Sequence, residues 1–468
     1  MKITLDVATS TPLTEQIVGQ FETLIRSREL RVGTRLPSIR KFAAEHNISR
    51  FPVIEAYDRL ATQGLLQPKH GSGYYVAEQF EKNPRATRGL DAIRATPESD
   101  QILRQFERPD EVLNLSIGFI PEAWRDVEGI AQAIRQASRT DARSLIDYAI
   151  PQGDPVLRLQ IEQRLAFVGV AADQQNIMVT NSASEALDLV VRMLLKPGDT
   201  VFVEDPGYFN LFGLLKLQGI ELVGVPRLST GPDVDAVEEL LRQHRPKLFF
   251  INTVFHNPTG TNVAPHVGFR LLQLAQEHDF MIVEDDVYAD FQTIPTQRLA
   301  SLDRLARVVY IGGFSKSLSS SLRLGYIAAE ARLIKHFVEV KALTSLGGTR
   351  FSERVVAALL ERGTYRKHLE RLRRRVNGAI STAVELLADA GWQVFDEPCG
   401  GSLVWAKVPG IDNSEMLVAE AARSGITVQP GSYYRPNGEI TPWVRFNTAY
   451  LDNDRAVHFL RRAAALAT

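Results

Sequence analysis

Short apolar runs alternate with amphipathic helical stretches from about Val112 onward, and few folds are compatible with that pattern. The runs are NIMVT, TVFVED, ELVGVP, KLFFINT, FMIVEDD and VVYIGGF, and helical spacing recurs between them at 184–195, 206–218, 233–244 and 267–278. Such alternation predicts an α/β domain whose mostly parallel sheet is covered by helices on both faces. In such sheets, ligands bind beyond the carboxyl ends of the strands.

Polar side chains follow five of these runs, at the points where the predicted strands end. They occupy the segments 181–185, 206–208, 256–260, 285–288 and 315–316. In chain order they offer a helix N-terminus suited to a phosphate, an aromatic plane, an amide, a carboxylate and a lysine. Each also has an ordinary structural explanation, such as a helix cap or core packing. Their order along the chain is the more specific signal.

Lys316 follows an apolar run and a Gly-Gly turn, in the stretch VVYIGGFSKSLSSSLRLGYIA. A lysine shielded from water at a strand exit favours its neutral amine, which can attack an aldehyde to form a Schiff base. Arg323, seven residues later, could hold a phosphate. Taken alone this pattern is weak, because most Ser-Lys pairs are surface features.

The five segments together resemble fold-type I enzymes dependent on pyridoxal 5′-phosphate, the aminotransferase family, from about Val112 to the C-terminus. The resemblance implies that Lys316 attaches the cofactor covalently and that Asp285 pairs with its pyridine nitrogen. It also implies that Lys316, Asp285 and Tyr288 are the catalytic residues. Further implied cofactor contacts are Tyr288, Asn257, Tyr208, Ser315, Arg323, Ala183, Ser184 and, from the neighbouring subunit, Tyr148 in YAIPQGDPVLR. Arg445, in WVRFNTA, and Gly118 are the implied substrate-binding residues. The guanidinium of Arg445 suits a substrate carboxylate. No metal site is predicted.

Two positions depart from the family pattern. Gly313 stands where relatives often have a phosphate-binding serine, and Ser182 replaces a usual glycine. Both differences are expected to loosen cofactor binding. Neither removes the lysine, the carboxylate or the arginine, so the implied chemistry stands: Asp285 keeps the ring nitrogen protonated, and Lys316 moves the substrate's Cα proton.

A smaller, basic region precedes this domain. Residues 1–77 carry 10 Lys and Arg against 7 Asp and Glu, while the whole chain has a net charge of -1. Three helical patterns, the second and third capped by Ser38 and Ser49, lead into LLQPKHGSGYYVA, a hairpin pattern. This order predicts a small winged helix-turn-helix domain over 1–77, followed by a linker over 78–111 and the large domain over 112–468.

The motifs LPSIRKFA, ISRFPVIEAYDRL and GLLQPKHGSGYYV are similar, in order and spacing, to the DNA-binding domain of GntR-type regulators. Residues 26–50 include seven basic residues and only two acidic ones, an excess of positive charge that a phosphate-contacting surface requires. The resemblance implies that the DNA-binding residues are Arg40, Ser49, Arg50 and, at the wing tip, His70 and Gly71. Phe51-Pro52 stand where many relatives carry hydroxylated residues, which leaves the base preference open.

The combination of a GntR-type DNA-binding domain with an aminotransferase-like domain resembles the MocR-type subfamily of GntR regulators. It implies a homodimeric transcription factor that binds a DNA operator and responds, through pyridoxal 5′-phosphate, to an amine or amino-acid effector. An active aminotransferase that carries a DNA-binding module is the alternative. A fold that has lost its cofactor is a third explanation, which the joint presence of the site residues disfavours. A single cysteine, Cys399, and no apolar run long enough to span a membrane predict a cytoplasmic protein.

Overall fold

The computed structural model describes residues 3–6, 9, 11–27, 29–69, 72–77, 103, 112–361 and 363–467. The chain divides into two units, Met1–Arg94 and Ala95–Thr468, which we call the N-terminal and C-terminal units. Of the predicted linker, 78–111, only Leu103 belongs to the described residues. No helix in the described part of the chain is both long enough and apolar enough to cross a lipid bilayer.

The N-terminal unit contains three helices and a two-stranded hairpin. The helices are α1 (Leu13–Arg26), α2 (Ile39–Glu45) and α3 (Arg50–Thr62), and the strands are β1 (Leu66–Lys69) and β2 (Gly73–Val76). Phe21 and Tyr57 pack edge to face in the core, with ring centroids 5.7 Å apart. The predicted capping by Ser38 is confirmed, because its side chain accepts a hydrogen bond from Lys41 N at 3.3 Å. The predicted capping by Ser49 is wrong: Ser49 precedes α3, but its side chain makes no capping hydrogen bond.

The C-terminal unit is built from alternating helices and strands. Its helices are α4 (Val127–Thr140), α5 (Pro155–Phe167), α6 (Ala183–Leu194), α7 (Phe209–Leu217), α8 (Val234–Gln243), α9 (Pro265–Glu277), α10 (Leu299–Asp303), α11 (Ala331–Ser345), α12 (Arg350–Glu361), α13 (Thr364–Asp389), α14 (Glu415–Arg423) and α15 (Asp454–Ala464). Its strands are β3 (Leu113–Asn114), β4 (Ile177–Thr180), β5 (Thr200–Asp205), β6 (Glu221–Leu228), β7 (Gly231–Pro232), β8 (Leu248–Ile251), β9 (Met281–Asp285), β10 (Val308–Gly313), β11 (Gly325–Ala328), β12 (Gln393–Val394), β13 (Leu403–Lys407), β14 (Ile426–Thr427) and β15 (Val444–Asn447).

The main sheet has eight strands within the described residues, in the order β4-β11-β10-β9-β8-β5-β6-β7. The pairs between β10, β9, β8, β5 and β6 are parallel, whereas β11 runs antiparallel to both β10 and β4. The prediction of a mostly parallel sheet is therefore confirmed. Because β4, β5, β8, β9 and β10 share one direction, the segments that follow them meet at one edge.

Both faces of the main sheet are buried, as predicted. Along β5 the side chain of Phe202 packs with α5, α8 and α9, while its neighbours Val201 and Val203 pack with α6, α7 and α11. This alternation follows from the two-residue period of a strand. A second core, in which Trp392, Phe446 and Phe459 pack together, joins α13, α14 and α15 to the small sheet β12-β13-β15. Strand β15 carries Arg445.

Candidate cofactor site

The segments that follow five parallel strands surround one cavity of about 320 Å³. Its lining residues come from the ends of β4, β5, β8, β9 and β10 and from the loop that precedes α4. Of the residues expected to bind the cofactor, the cavity is lined by Ala183, Ser184, Tyr208, Asn257, Asp285, Tyr288, Ser315, Lys316 and Arg323. The structure thus brings together side chains separated by up to 140 positions in the sequence.

Lys316 lies half-buried just beyond β10, and its Nζ donates a hydrogen bond to the carbonyl oxygen of Gly118 at 3.0 Å. The same atom lies 4.6 Å from the ring centre of Phe119. Burial lowers the pKa of the Lys316 ammonium to about 8, and the positive charge of Arg445 acts in the same direction. A substantial fraction of this amine is therefore neutral near pH 8, as a nucleophile or a base requires.

Asp285 ends β9, and burial raises the pKa of its carboxyl to about 7, although a backbone hydrogen bond from Val287 and the charge of Lys316 oppose the shift. Its neighbour Asp286 faces the other way, where it binds Arg298 at 2.8 Å and the Tyr310 hydroxyl at 2.7 Å. The alternation of side chains along a strand thus distinguishes the two carboxylates. Asp285 is the one available to a cationic group in the cavity.

Arg445 is buried and does not line the cavity itself. Its Nη1 donates to Asn257 Oδ1 at 2.7 Å, its Nη2 donates to the Ser116 carbonyl at 2.5 Å, and its guanidinium lies 4.8 Å from the ring centre of Tyr434. Its Nε is buried without a hydrogen-bond partner among the described residues. Arg445 is thus one hydrogen bond behind the cavity wall, with part of its donor capacity unused. Gly118, the other expected substrate-binding residue, contacts Lys316.

The opposite end of the cavity is suited to an anion. Helix α6 begins there, capped by Ser182, whose Oγ accepts from Glu185 N at 3.1 Å, so the N–H groups of the next two residues point beyond the helix end. Arg323 adopts a left-handed backbone conformation with φ of +50°, uncommon for a residue with a side chain. Because Gly325 has no Cβ, β11 can pass close to α6: a Cβ there would lie 2.6 Å from Ala183 N.

Two tyrosines form the aromatic part of the wall. The Tyr208 hydroxyl accepts a hydrogen bond from Asn210 Nδ2 at 3.0 Å, and burial raises its pKa to about 12. The ring centre of Tyr288 lies 5.8 Å from Lys316 Nζ, and burial raises the pKa of this phenol too. Both phenols therefore remain protonated at neutral pH and can donate a hydrogen bond to an oxygen anion.

Tyr148 does not line this cavity; it is 81% exposed. Leu145, Ile146 and Ile150, close to it in the sequence, are exposed as well. Contiguous exposed apolar side chains are typical of surfaces that meet another protein.

Asn252 and Phe119 are functional candidates that the sequence reasoning missed. Asn252 Nδ2 donates to the main-chain carbonyl of Asp285, and Asn252 Oδ1 accepts from Asn257 N at 3.3 Å, so one side chain orients two site residues. Asn252 follows β8 directly, so the rule that ligands bind beyond the carboxyl ends of parallel strands could have identified it. Phe119 lies far from any predicted strand and left no comparable signal.

A second network lies behind Lys316. The hydroxyl groups of Ser317 and Tyr365 each donate to Asp290 Oδ2 at 2.5 Å, and Arg164 pairs with the same carboxylate. The Arg164 charge and these hydrogen bonds hold the pKa of Asp290 below its usual value, although burial opposes ionisation. The network borders another cavity, of about 430 Å³, and it fixes the residue next to the catalytic candidate lysine.

The predicted DNA-binding residues of the N-terminal unit lie on α2 and at the start of α3. Arg40, Ser49 and Arg50 are all exposed. The first turn of α3 contains no acidic residue. The predicted hairpin is confirmed by the pairing of β1 with β2, but the predicted wing residues His70 and Gly71 lie outside the described residues.

Residues 110–462 match the model of a family described as aminotransferase class I and II. The chain belongs to this aminotransferase family. Residues 13–76 match the model of the bacterial regulatory proteins of the gntR family. The expected union of a GntR helix-turn-helix domain, which implies DNA binding, with a fold-type I aminotransferase domain is thereby confirmed.

Relatives of this aminotransferase-family chain include both regulators and enzymes. It is 29% identical to the probable rhizopine catabolism regulatory protein MocR of Rhizobium meliloti, over 92% of this chain and 88% of that protein. It is also 29% identical to a 2-aminoadipate transaminase of Thermus thermophilus, over 77% of this chain and 91% of the enzyme. The kynurenine aminotransferase of Pyrococcus horikoshii, solved in complex with PMP, superposes with a TM-score of 0.74 at 26% identity, over 81% of this chain and 96% of that one. The chain thus has the architecture of a GntR-type regulator fused to an aminotransferase-like domain.

Members of the aminotransferase family use pyridoxal phosphate, and the cavity of this chain has the groups such a cofactor needs. Within the described residues, neither Lys316 nor Asp285 forms an ion pair, and Arg323 makes no hydrogen bond. An amine, a carboxylate and a guanidinium are thus left without a charged partner around about 320 Å³ of space. Such a donor set fits a small aromatic molecule with a phosphate at one end.

Proposed function

We propose that this GntR-type protein is a transcriptional regulator that binds pyridoxal 5′-phosphate and changes its DNA binding in response to an amine or amino acid. The observation that carries the proposal is the presence, in one chain, of a GntR DNA-binding domain and a cavity with the lysine, carboxylate and anion-binding groups that the cofactor needs. We retain 1–77 for the DNA-binding domain, 78–111 for the linker and 112–468 for the cofactor domain. Because its proposed partner is DNA, we propose that the protein works in the cytoplasm.

The residues that would hold the cofactor follow from the chemistry of the cavity. Lys316 would bind it covalently, Asp285 would pair with the pyridine nitrogen, and the start of α6 together with Ser315 and Arg323 would hold the phosphate. Tyr208 would stack on the ring, while Tyr288 and Asn257 would donate to its phenolic oxygen. When bound, the cofactor supplies an aldehyde for covalent attachment and a ring that accepts electrons.

The proposed effector is an amine or an amino acid, because the aldehyde of the bound cofactor would react with an amine and a guanidinium lies close behind the cavity wall. Lys316 Nζ, with a pKa of about 8, can take up and return a proton at a neighbouring carbon atom. Arg445, whose Nη1 donates to Asn257 Oδ1 at 2.7 Å, would bind the carboxylate of an amino acid. An amine without a carboxylate would not use Arg445.

We further propose a homodimer, in which Tyr148 reaches the phosphate of the neighbouring subunit. The exposure of Tyr148, together with the exposed apolar side chains near it in the sequence, supports this arrangement. A twofold symmetric dimer also fits DNA reading, because two helix-turn-helix domains can occupy two half-sites of a palindromic operator. Sedimentation of the cofactor-loaded protein tests this proposal, and a monomer at micromolar concentration would contradict it.

A working aminotransferase with an added DNA-binding domain is the second candidate. It is supported by the positions of three side chains: Lys316 and Asp285 line the cavity, and Arg445 lies one hydrogen bond behind its wall. Similarity to a 2-aminoadipate transaminase over 77% of the chain points the same way. The two candidates differ in what happens after an amino acid binds, namely a change in DNA affinity or sustained conversion to an oxo acid.

The visible absorption spectrum of the purified protein, recorded with and without candidate amines and amino acids, tests the cofactor and its ligand together. Operator binding that changes with the ligand, with negligible turnover, is expected for the regulator. Sustained turnover with an oxo acid and no effect on DNA binding would favour the enzyme. A protein that gives no visible absorbance after incubation with pyridoxal 5′-phosphate would rule out both.

A further inference from the structure

The exposed face of α3 carries two large apolar side chains. Phe51 is 73% exposed and Ile54 is 42% exposed, and they are three residues apart, so they lie on one side of the helix. The opposite side packs into the core through Val53, Ala56, Tyr57 and Leu60. Arg50, also exposed, lies next to them in the first turn.

Neither apolar side chain is explained by folding. The described aromatic contacts of the N-terminal unit involve Phe21, Phe42, His46, Tyr57 and Tyr74, and Phe51 is not among them. A phenylalanine has roughly 150 to 250 Å² of surface to bury. Leaving most of it in water on the helix that a GntR domain presents to DNA indicates a role in binding.

We propose that Phe51, with Ile54 extending the same apolar face, reads the 5-methyl group of thymine in the major groove. This inference rests on the proposed function and names the base chemistry that the DNA-binding surface selects. Among the groups on the major-groove edges of the four base pairs, the thymine methyl is the apolar one, and phenylalanine is a side chain that contacts it. The residues at the start of the recognition helix are those that reach base edges.

Double-stranded DNA is the occupant that the surrounding charges favour. Arg50 adjoins Phe51, Arg40 on α2 is exposed as well, and the first turn of α3 has no acidic residue. Phosphate contacts from such arginines fix the register, and the apolar pair then supplies the sequence preference. An apolar protein partner would not need the adjoining positive charge.

The test uses the full-length, cofactor-loaded protein and begins with selection from randomised duplexes to find the sequence it prefers. Each thymine of that sequence is then replaced by deoxyuridine, which differs only by the missing methyl group. We expect a thymine in each half-site whose replacement weakens binding about fourfold. In Phe51→Ala, thymine and deoxyuridine at that position should bind equally well, while Phe51→Leu should retain part of the preference.

Phe269→Ala is the matched control, because Phe269 is also an exposed phenylalanine but belongs to the C-terminal unit; it should keep the full thymine preference. Phe51→Ala should unfold at the same temperature as the wild type, since the side chain is exposed. Equal affinity of the wild type for the thymine and deoxyuridine duplexes would overturn this inference while leaving the regulator intact. Selection that enriches no sequence would instead contradict the proposed DNA-binding function.

Discussion

The two candidate sites of this protein use side chains in opposite ways. In the cavity of the C-terminal unit, burial shifts the pKa of Lys316 down to about 8 and that of Asp285 up to about 7, so the chemistry depends on the enclosure. On α3 of the N-terminal unit, Arg50 and Phe51 are exposed and contribute little to the core. Substitutions in the cavity should therefore change chemistry, whereas substitutions on α3 should change affinity alone.

The largest effect is expected from Lys316→Ala, which should abolish the visible absorbance of the covalently bound cofactor. No other described lysine lines the cavity, so no amine can replace it. The visible absorbance is measured after extensive dialysis, which removes cofactor that is not covalently attached, and without borohydride, which would reduce the imine and remove its visible absorbance. Lys335→Ala, at an exposed position on α11, is the control and should retain the full signal. If Lys316→Ala keeps the absorbance, the lysine assignment is wrong.

Arg445→Gln should shift the titration with an amino acid by more than tenfold and leave the cofactor absorbance in place. A carboxylate that loses a buried guanidinium partner loses on the order of 2 to 4 kcal/mol, which corresponds to roughly 30-fold or more in affinity. The phosphate end of the cavity does not include Arg445, so cofactor retention should not depend on it. A titration with an amine that has no carboxylate is the control and should not shift. An unchanged amino-acid titration would mean that Arg445 does not hold the effector.

Arg40→Ala or Arg50→Ala should weaken DNA binding by about tenfold, with a shallower dependence on salt, and leave the cofactor absorbance unchanged. The reason is that each arginine is exposed and would contact DNA on the proposed DNA-binding surface. Arg59→Ala is a matched control on the same helix, since Arg59 is paired with Glu55 at 2.7 Å. Unchanged DNA affinity in both variants would remove these arginines from the contact surface.

The smallest effect concerns pH. Attachment of pyridoxal 5′-phosphate to the apo-protein should accelerate about fivefold between pH 7 and pH 8 and level off above about pH 9. The cause is that burial lowers the pKa of Lys316 to about 8, so the neutral, reactive amine reaches its maximum early. A rate that keeps rising toward pH 10.5 would indicate an unshifted lysine and would remove the contrast between the enclosed and the exposed site.

The fold was largely predictable because hydrophobic periodicity reports burial on one or both faces of an element. The alternation after Val112 gave the mostly parallel sheet, and the polar strand ends gave the cavity lining. The predicted helix 206–218 proved shorter, Phe209–Leu217, because Pro206 and Gly207 form the preceding turn. The antiparallel strand β11 and the small sheet β12-β13-β15 were not predicted, because antiparallel strands need no crossover helix and so do not show the alternation that marks the parallel sheet.

The contacts within the cavity were less predictable than its residues. No sequence pattern indicates that Asn252 bonds to both Asp285 and Asn257, because β8 and β9 become neighbours only in the folded sheet. The position of Arg445 behind Asn257 likewise depends on how β15 approaches the main sheet. Long-range hydrogen bonds of this kind are set by tertiary packing, which local propensity does not encode.

The central claim is that one chain links an amino-acid response in its cavity to DNA binding by its N-terminal unit. The direct measurement is the affinity of the full-length protein for its selected DNA duplex at increasing amino-acid concentration, for the wild type and for Lys316→Ala. We predict that the amino acid changes the affinity of the wild type for DNA at least fivefold, and that DNA changes its affinity for the amino acid by the same factor. Lys316→Ala should show neither change. An affinity that is independent of the amino acid, together with sustained formation of an oxo acid, would contradict the regulator and identify an enzyme.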